Sequence, residues 1–273
     1  MLLSIRHRTQ YRYEPAVSRV ALKLRLYPAI TSSQTPRAWS VTVNGQAPSM
    51  RLVNGYGDEE SIWLAHDGAT EVEVIAEGEV ETRDMHGVLR GWKMAARPAM
   101  FLRETLLTKP AENIAALAAE ATKGKHGLAA AHALSAAVRE AVEYRPGATG
   151  ALTTAAEALT QGAGVCQDHA HLLIASARSL GAAARYVVGY LFVMEGEDTL
   201  VSPEQETHAW AEIWVDGLGW VGFDASNGVC PTDHYVRLAA GLDARDAAPL
   251  RGSVTGATEE HLEADVQVTQ SQQ

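Results

Sequence analysis

The sequence predicts an α+β chain with an antiparallel β region first and a core of helices followed by strands after it. Three observations carry this reading. Short alternating runs broken by Pro, Gly and Asn fill residues 1–85, and Ala-rich stretches with helical spacing follow from Ala111. Strand-like runs then return after Arg185. Helices followed by strands, rather than strict alternation, argue for α+β in the second part. The 273 residues suffice for one large domain or two modest ones.

In the first part, Ile5, His7, Thr9, Tyr11 and Tyr13 alternate with polar residues until Pro15, which is expected to stop the run. A second run, Val20 to Tyr27, ends at Pro28. Trp39, Val41 and Val43 alternate up to the turn pair Asn44-Gly45. Ser61 to Ala65 and Glu71 to Ile75 add two strands, and Val80 starts another. This β region, residues 1–85, holds no cysteine and no acid–base cluster, so it reads as structural or substrate-positioning. An irregular segment, residues 86–98, reads as a linker, and residues 99–273 as the core.

Within the core, Ala111 to Lys123, Leu128 to Glu143 and Thr154 to Leu159 carry helical spacing. Thr154 and Glu157 have capping-box spacing. After Gly162-Ala163-Gly164 an apolar-periodic helix runs from Cys166 to Leu180 and stops at Gly181. Strands are expected at Arg185 to Phe192, Thr207 to Val215 and Trp220 to Asp224. A last strand, Leu262 to Val268, precedes a polar tail.

Cys166 opens its helix directly after the glycine-rich loop. A helix N-terminus carries partial positive charge and unpaired N–H groups, which favour an anionic sulfur and can hold an oxyanion. The loop glycines allow close approach by a substrate. His208 leads a strand with a polar-aromatic face (His208, Trp210, Glu212, Trp214) and an apolar face (Ala209, Ala211, Ile213, Val215). Asp224 follows on the next strand. Directly opposite residues of an antiparallel hairpin share a face. A two- or four-residue loop would put Asp224 opposite Ala211, on the wrong face. An odd loop such as Asp216-Gly217-Leu218, with Gly217 or Gly219 left-handed, puts it opposite Trp210 and one diagonal step from His208. An odd loop or a bulge is therefore expected.

These residues suit acyl transfer. The sulfur of Cys166 attacks an amide carbonyl, His208 pairs with the thiolate and protonates the amine, and Asp224 orients the imidazole. The expected oxyanion donors are N–H groups at Val165 and Gln167, with Tyr190 at a strand end as a further donor. Trp210 is a candidate substrate contact.

Gly164 to Leu172 (GVCQDHAHL), Arg185 to Tyr190 (RYVVGY), His208 to Glu212 (HAWAE) and Gly219 to Asn227 (GWVGFDASN) resemble the bacterial transglutaminase-like family. The first 85 residues resemble that family's N-terminal β region, and Ala248 to Gly252 fits its C-terminal segment. The likeness implies a papain-like core and a Cys-His-Asp triad on Cys166, His208 and Asp224. The chain departs from the family pattern at His169, where an aromatic is frequent, and at Ala225-Ser226 in place of Pro-Thr. A common Gly-Asn appears as Gly57-Asp58. The likeness leaves the acyl acceptor open between water and an amine.

Composition narrows the rest. A formal charge of −10, from 23 basic and 33 acidic residues, disfavours nucleic acid. No signal-peptide pattern and no run of 18 apolar residues occurs, so a cytoplasmic protein without a membrane span is expected. Cys166 and Cys230 make no disulfide framework. Cys166 and His169 lie one helical turn apart, but zinc needs further ligands, and Cys230 with His234 is not brought near by any pattern. No metal and no cofactor is expected. Asp168 reads as a helix-start acceptor, His171 as a buried hydrogen-bonded residue and Cys230 as structural. A serine hydrolase lacks its Gly-x-Ser-x-Gly elbow here. A non-catalytic binding module is the rival class, and it would be expected to have lost a triad residue. The expected partners are peptides, proteins or small amides as substrates.

Overall fold

The computed structural model describes residues 1–92, 94–194, 207–256 and 259–271. Its architecture is α+β: a curled antiparallel sheet, then helices packed on a second antiparallel sheet. The chain begins with β1 (Leu2–Leu24), β2 (Gln34–Val43), β3 (Met50–Val53) and β4 (Glu59–Thr82). Odd-numbered residues from Leu3 to Tyr13 are buried, as the alternation requires.

Pro15 does not end the first strand. The β1–β4 register shifts between Arg12 and Val17, so the ladder asks no N–H of residue 15. The separate runs at Ser61, Glu71 and Val80 likewise merge into β4, which passes its own irregularity beside the shift between Val17 and Arg19. Fewer, longer and bent strands result.

The helices are α1 (Glu112–Ala121), α2 (Gly127–Ala141), α3 (Ala155–Gln161) and α4 (Cys166–Ser179). Between α2 and α3 lies β5 (Glu143–Tyr144), which pairs in parallel with β6 (Ala163–Gly164) just before α4. Thr154 caps α3 with the expected reciprocal box: its side chain accepts from the Glu157 N–H, and the Glu157 carboxylate accepts from the Thr154 N–H. α4 is buried nearly all round, against α1, α2 and α3 on one side and the second sheet on the other.

That sheet contains β7 (Ala184–Leu191), β8 (His208–Val215), β9 (Gly219–Phe223) and β10 (Tyr235–Gly241), in the order β10-β7-β8-β9. The apolar faces of β7 and β8 meet α4, giving one continuous core with the first sheet. The last strands, β11 (Leu250–Thr255) and β12 (Glu259–Gln270), both return to β1. The final strand, read from sequence as part of the core region, thus belongs to the first sheet. Gln272 and Gln273 of the polar tail lie outside the described residues.

Residues 86–98 do more than connect. Val88 bridges Val221, the Leu89 N–H donates to Trp220 O at 2.9 Å, and the Gly222 N–H donates to Gly87 O at 2.8 Å. The segment therefore covers the outer edge of β9. Among the described residues no helix is long and apolar enough to cross a membrane.

Candidate active site

The β8–β9 hairpin closes through Asp216-Gly217-Leu218, with Val215 opposite Gly219 and Ala211 opposite Phe223. This is the odd loop that face parity requires. Gly217 (φ 81°) and Gly219 (φ 87°) both adopt the left-handed region, which costs glycine little. Continuing the register one step puts Asp224 beside Trp210, on the face of His208. The His208 Nε2–H donates to Asp224 Oδ2 at 2.7 Å, and both side chains are about 1% exposed.

Asp224 is held from every side. Its Oδ1 accepts from the Ser226 hydroxyl at 2.6 Å and from the N–H groups of Ser226 and Asn227 at 3.1 and 3.2 Å. Its Oδ2 also accepts from the Tyr235 hydroxyl at 2.7 Å and the Asn227 amide at 2.8 Å. Burial alone would raise this carboxyl's pKa. The His208 charge and these donors override it and hold the group well below the usual carboxylate range.

His208 shows the reciprocal shift. Burial opposes its charge, but the Asp224 carboxylate, and after it the neighbouring Cys166, raise its pKa to about 10. With Nε2 committed to Asp224, Nδ1 is the nitrogen left for the sulfur. Among the described residues that buried Nδ1 has no hydrogen-bond partner. The rings of Trp210 and Tyr235 pack beside the imidazole at centroid distances of 6.4 and 5.9 Å and exclude water from the pair.

Cys166 is the first residue of α4 and is 8% exposed. The buried Asp168 accepts the Val165 N–H at 2.8 Å and the Thr149 hydroxyl at 2.6 Å, fixing the helix start. A Cβ at position 164 would lie 2.7 Å from this carboxylate. The glycine expected to admit substrate therefore makes room for Asp168. By position, the first-turn N–H groups of Cys166 and Gln167 have no acceptor within the helix.

The remaining sequence candidates separate. Trp210 is buried in the wall around His208, against Tyr235 at 5.5 Å. The Val165 N–H is taken by Asp168. The Gln167 side chain donates to Ala151 O at 3.4 Å. Tyr190 lies buried with its hydroxyl 3.0 Å from His7 Nδ1, a partner on the first sheet, and burial raises its pKa. Its hydroxyl is thus committed away from the oxyanion role. Both ring nitrogens of His169 lie 2.9 Å from carbonyl oxygens, those of Val165 and Val142, so the ring ties α4 to the end of α2 and is not turned to chelate with Cys166. His171 Nε2 accepts the Ala244 N–H at 3.0 Å. Burial, followed by the charge of Asp84, raises the thiol pKa of Cys230.

Ser226, Asn227 and Tyr235 support the site beyond the residues expected from the sequence. Asp-Ala-Ser-Asn-Gly (224–228) does carry a signal, since an Asp followed by turn residues accepts N–H groups two and three positions on. Tyr235 carries none, because β10 is buried on both faces and lacks the alternation that marks a strand.

Comparison with known proteins agrees with this fold. Residues 115–225 match the transglutaminase-like superfamily core, and residues 3–81 match the bacterial transglutaminase-like N-terminal region. An uncharacterized protein of Mycobacterium leprae is 29% identical over 271 residues, covering 96% of each chain. One from Mycobacterium tuberculosis is 30% identical over 274 residues, covering 92% of this chain and 86% of its own. Among solved structures, a candidate cysteine protease from Cytophaga hutchinsonii superposes with a TM-score of 0.73. It shares 24% identity, and the match covers 100% of this chain and 92% of that one, a likeness of fold.

Proposed function

The chain belongs to the transglutaminase-like superfamily, and from that premise we propose that it is a thiol acyl-transfer enzyme that hydrolyses amide bonds, a transglutaminase-like cysteine protease or amidase. The observation that carries the reading is the buried His208–Asp224 hydrogen bond at 2.7 Å, beside Cys166 at the start of α4. A binding module on this fold has no need of an imidazole whose pKa is raised by a carboxylate on one side and a sulfur on the other.

The chemistry follows from the parts. The Cys166 thiolate, ion-paired with the His208 imidazolium, attacks the amide carbonyl carbon. The N–H groups of Cys166 and Gln167 stabilise the oxyanion. As the C–N bond breaks, His208 delivers its proton to the departing amine, leaving a thioester on Cys166. Water then gives a proton back to His208 and attacks the thioester, releasing the acid. Asp224 keeps the ring oriented and charged until the proton is needed.

The test is incubation with a peptide library, with and without a primary amine, read by mass. Cleaved chains that gain water support the hydrolase. Loss of ammonia with incorporation of the amine would replace it with transamidation. No Cys166-dependent change under either condition would remove the catalytic reading.

A further inference from the structure

We propose that the N-terminal sheet completes the site by clamping β10, with Gln34 and Asp58 acting as remote positioning residues for the Asp224–His208 pair. The inference rests on the acyl-transfer reading above and assigns the N-terminal region a part in it.

β10 is an edge strand of the second sheet, and an edge strand presents unpaired N–H and C=O groups. Here the first sheet and its loops take those groups up. Gln34, 3% exposed on β2, acts on Arg237 as a neighbouring strand would: its Oε1 accepts the Arg237 N–H at 2.7 Å and its Nε2 donates to Arg237 O at 2.8 Å. The Ala29 N–H donates to the same carbonyl at 3.2 Å. Asp58, 1% exposed, accepts the Ala240 N–H at 2.9 Å on Oδ2 and the Arg237 guanidinium at 3.1 Å on Oδ1. These contacts flank the register shift between Arg237 and Ala239, where the ladder to β7 is broken. At the other end of the segment the Thr82 hydroxyl donates to Asp233 O at 2.5 Å.

What β10 carries explains the clamp. Tyr235, two residues from Arg237 and on the same face, donates to Asp224 and packs on His208 and Trp210. Arg237 also donates to Glu212 at 3.0 Å, on the His208 face of β8. Arg237, Gly189 and His208 form one cross-strand row. A slip of β10 therefore moves a hydrogen bond on the triad carboxylate, and the N-terminal region supplies the side-chain partners of the outer backbone groups at Arg237 and Ala240.

The experiment uses the full chain with Gln34→Ala, Asp58→Ala and a control, Val43→Ala, which opens a cavity in the same sheet away from β10. Two readouts are taken under strongly native conditions: solvent exchange of the His208 Nε2 proton by NMR, and the rate of Cys166 alkylation by iodoacetamide at pH 7. We expect the clamp variants to speed that exchange about tenfold and slow alkylation several-fold, as for a loosened charge-assisted hydrogen bond, and the control to change neither at comparable loss of stability. If the clamp variants behave like Val43→Ala, the proposal is overturned. Should both fail to fold, the near-isosteric Thr82→Val carries the same expectation. A His208→Ala variant separates the two claims: unchanged alkylation there overturns the acyl-transfer reading itself, whereas slowed alkylation with inert clamp variants overturns only the clamp.

Discussion

Asp224 is surrounded by donors on both oxygens, so replacing one oxygen by an amide nitrogen sets N–H groups against N–H groups whichever way the amide turns. We expect Asp224→Asn to lower the acylation rate by about ten-thousandfold, the scale on which loss of a triad carboxylate acts. The same variant leaves His208 buried without its anion. Burial alone lowers a histidine pKa, so the value should fall from about 10 to below the ordinary 6.5. An NMR titration of the imidazole checks this, and a value still near 10 would show that Asp224 is not what holds the charge. The sequence made His208 and Asp224 legible together because parity across one short turn left a single workable pairing. It did not reveal Tyr235, since nothing local distinguishes a tyrosine that reaches a carboxylate from one that packs.

At the scale of elements, the register of β8 and β9 matters to the site and the length of their turn does not. Deleting Leu218 leaves Asp216-Gly217, a favoured two-residue turn, while Val215 can remain opposite Gly219. Inserting one residue between Val221 and Gly222 instead moves Asp224 to the opposite face, because strand side chains alternate. The deletion should keep Cys166 alkylation within about threefold of wild type, whereas the insertion should match Asp224→Asn. Comparable rates for the two would mean that register does not set this site. Locality decides which elements are legible in the sequence. The helix starts at Thr154 and Cys166 were legible because capping and periodicity are local. β1 and β4 were read as pieces because Pro15 looks like a terminator until a register shift in the partner strand makes its missing N–H harmless. β10, a run with Ala239, Ala240 and Gly241, lacks the alternation that marks a strand, since both of its faces are buried.

Over the whole molecule, two sets of histidines pull stability in opposite directions with pH. His7, wedged between the sheets against Tyr190 and Thr9, and His171, inside the core beside Tyr186, are both lowered to about 4, chiefly by burial. For each, the unfolded chain binds the proton more readily, so stability is full above the unfolded value of about 6.5 and is lost as pH falls toward 4. His208 has the opposite sign. Its raised pKa contributes fully below about 6.5 and is lost as pH rises toward 10. Asp224, with its lowered pKa, adds stability that disappears only on strong acidification, below the ordinary carboxylate range. The two slopes meet near pH 6.5 to 7, where a series of urea midpoints should peak. Between pH 6.5 and 5 each buried neutral histidine should remove about 1.5 kcal/mol. His7→Gln, compared with wild type across that interval, should lose about half of the acid slope. A midpoint unchanged from pH 7 to 5 would mean that His7 and His171 are not held neutral at the junction of the sheets and in the core. An acid slope as steep in His7→Gln as in wild type would instead place the sensitivity with groups other than His7.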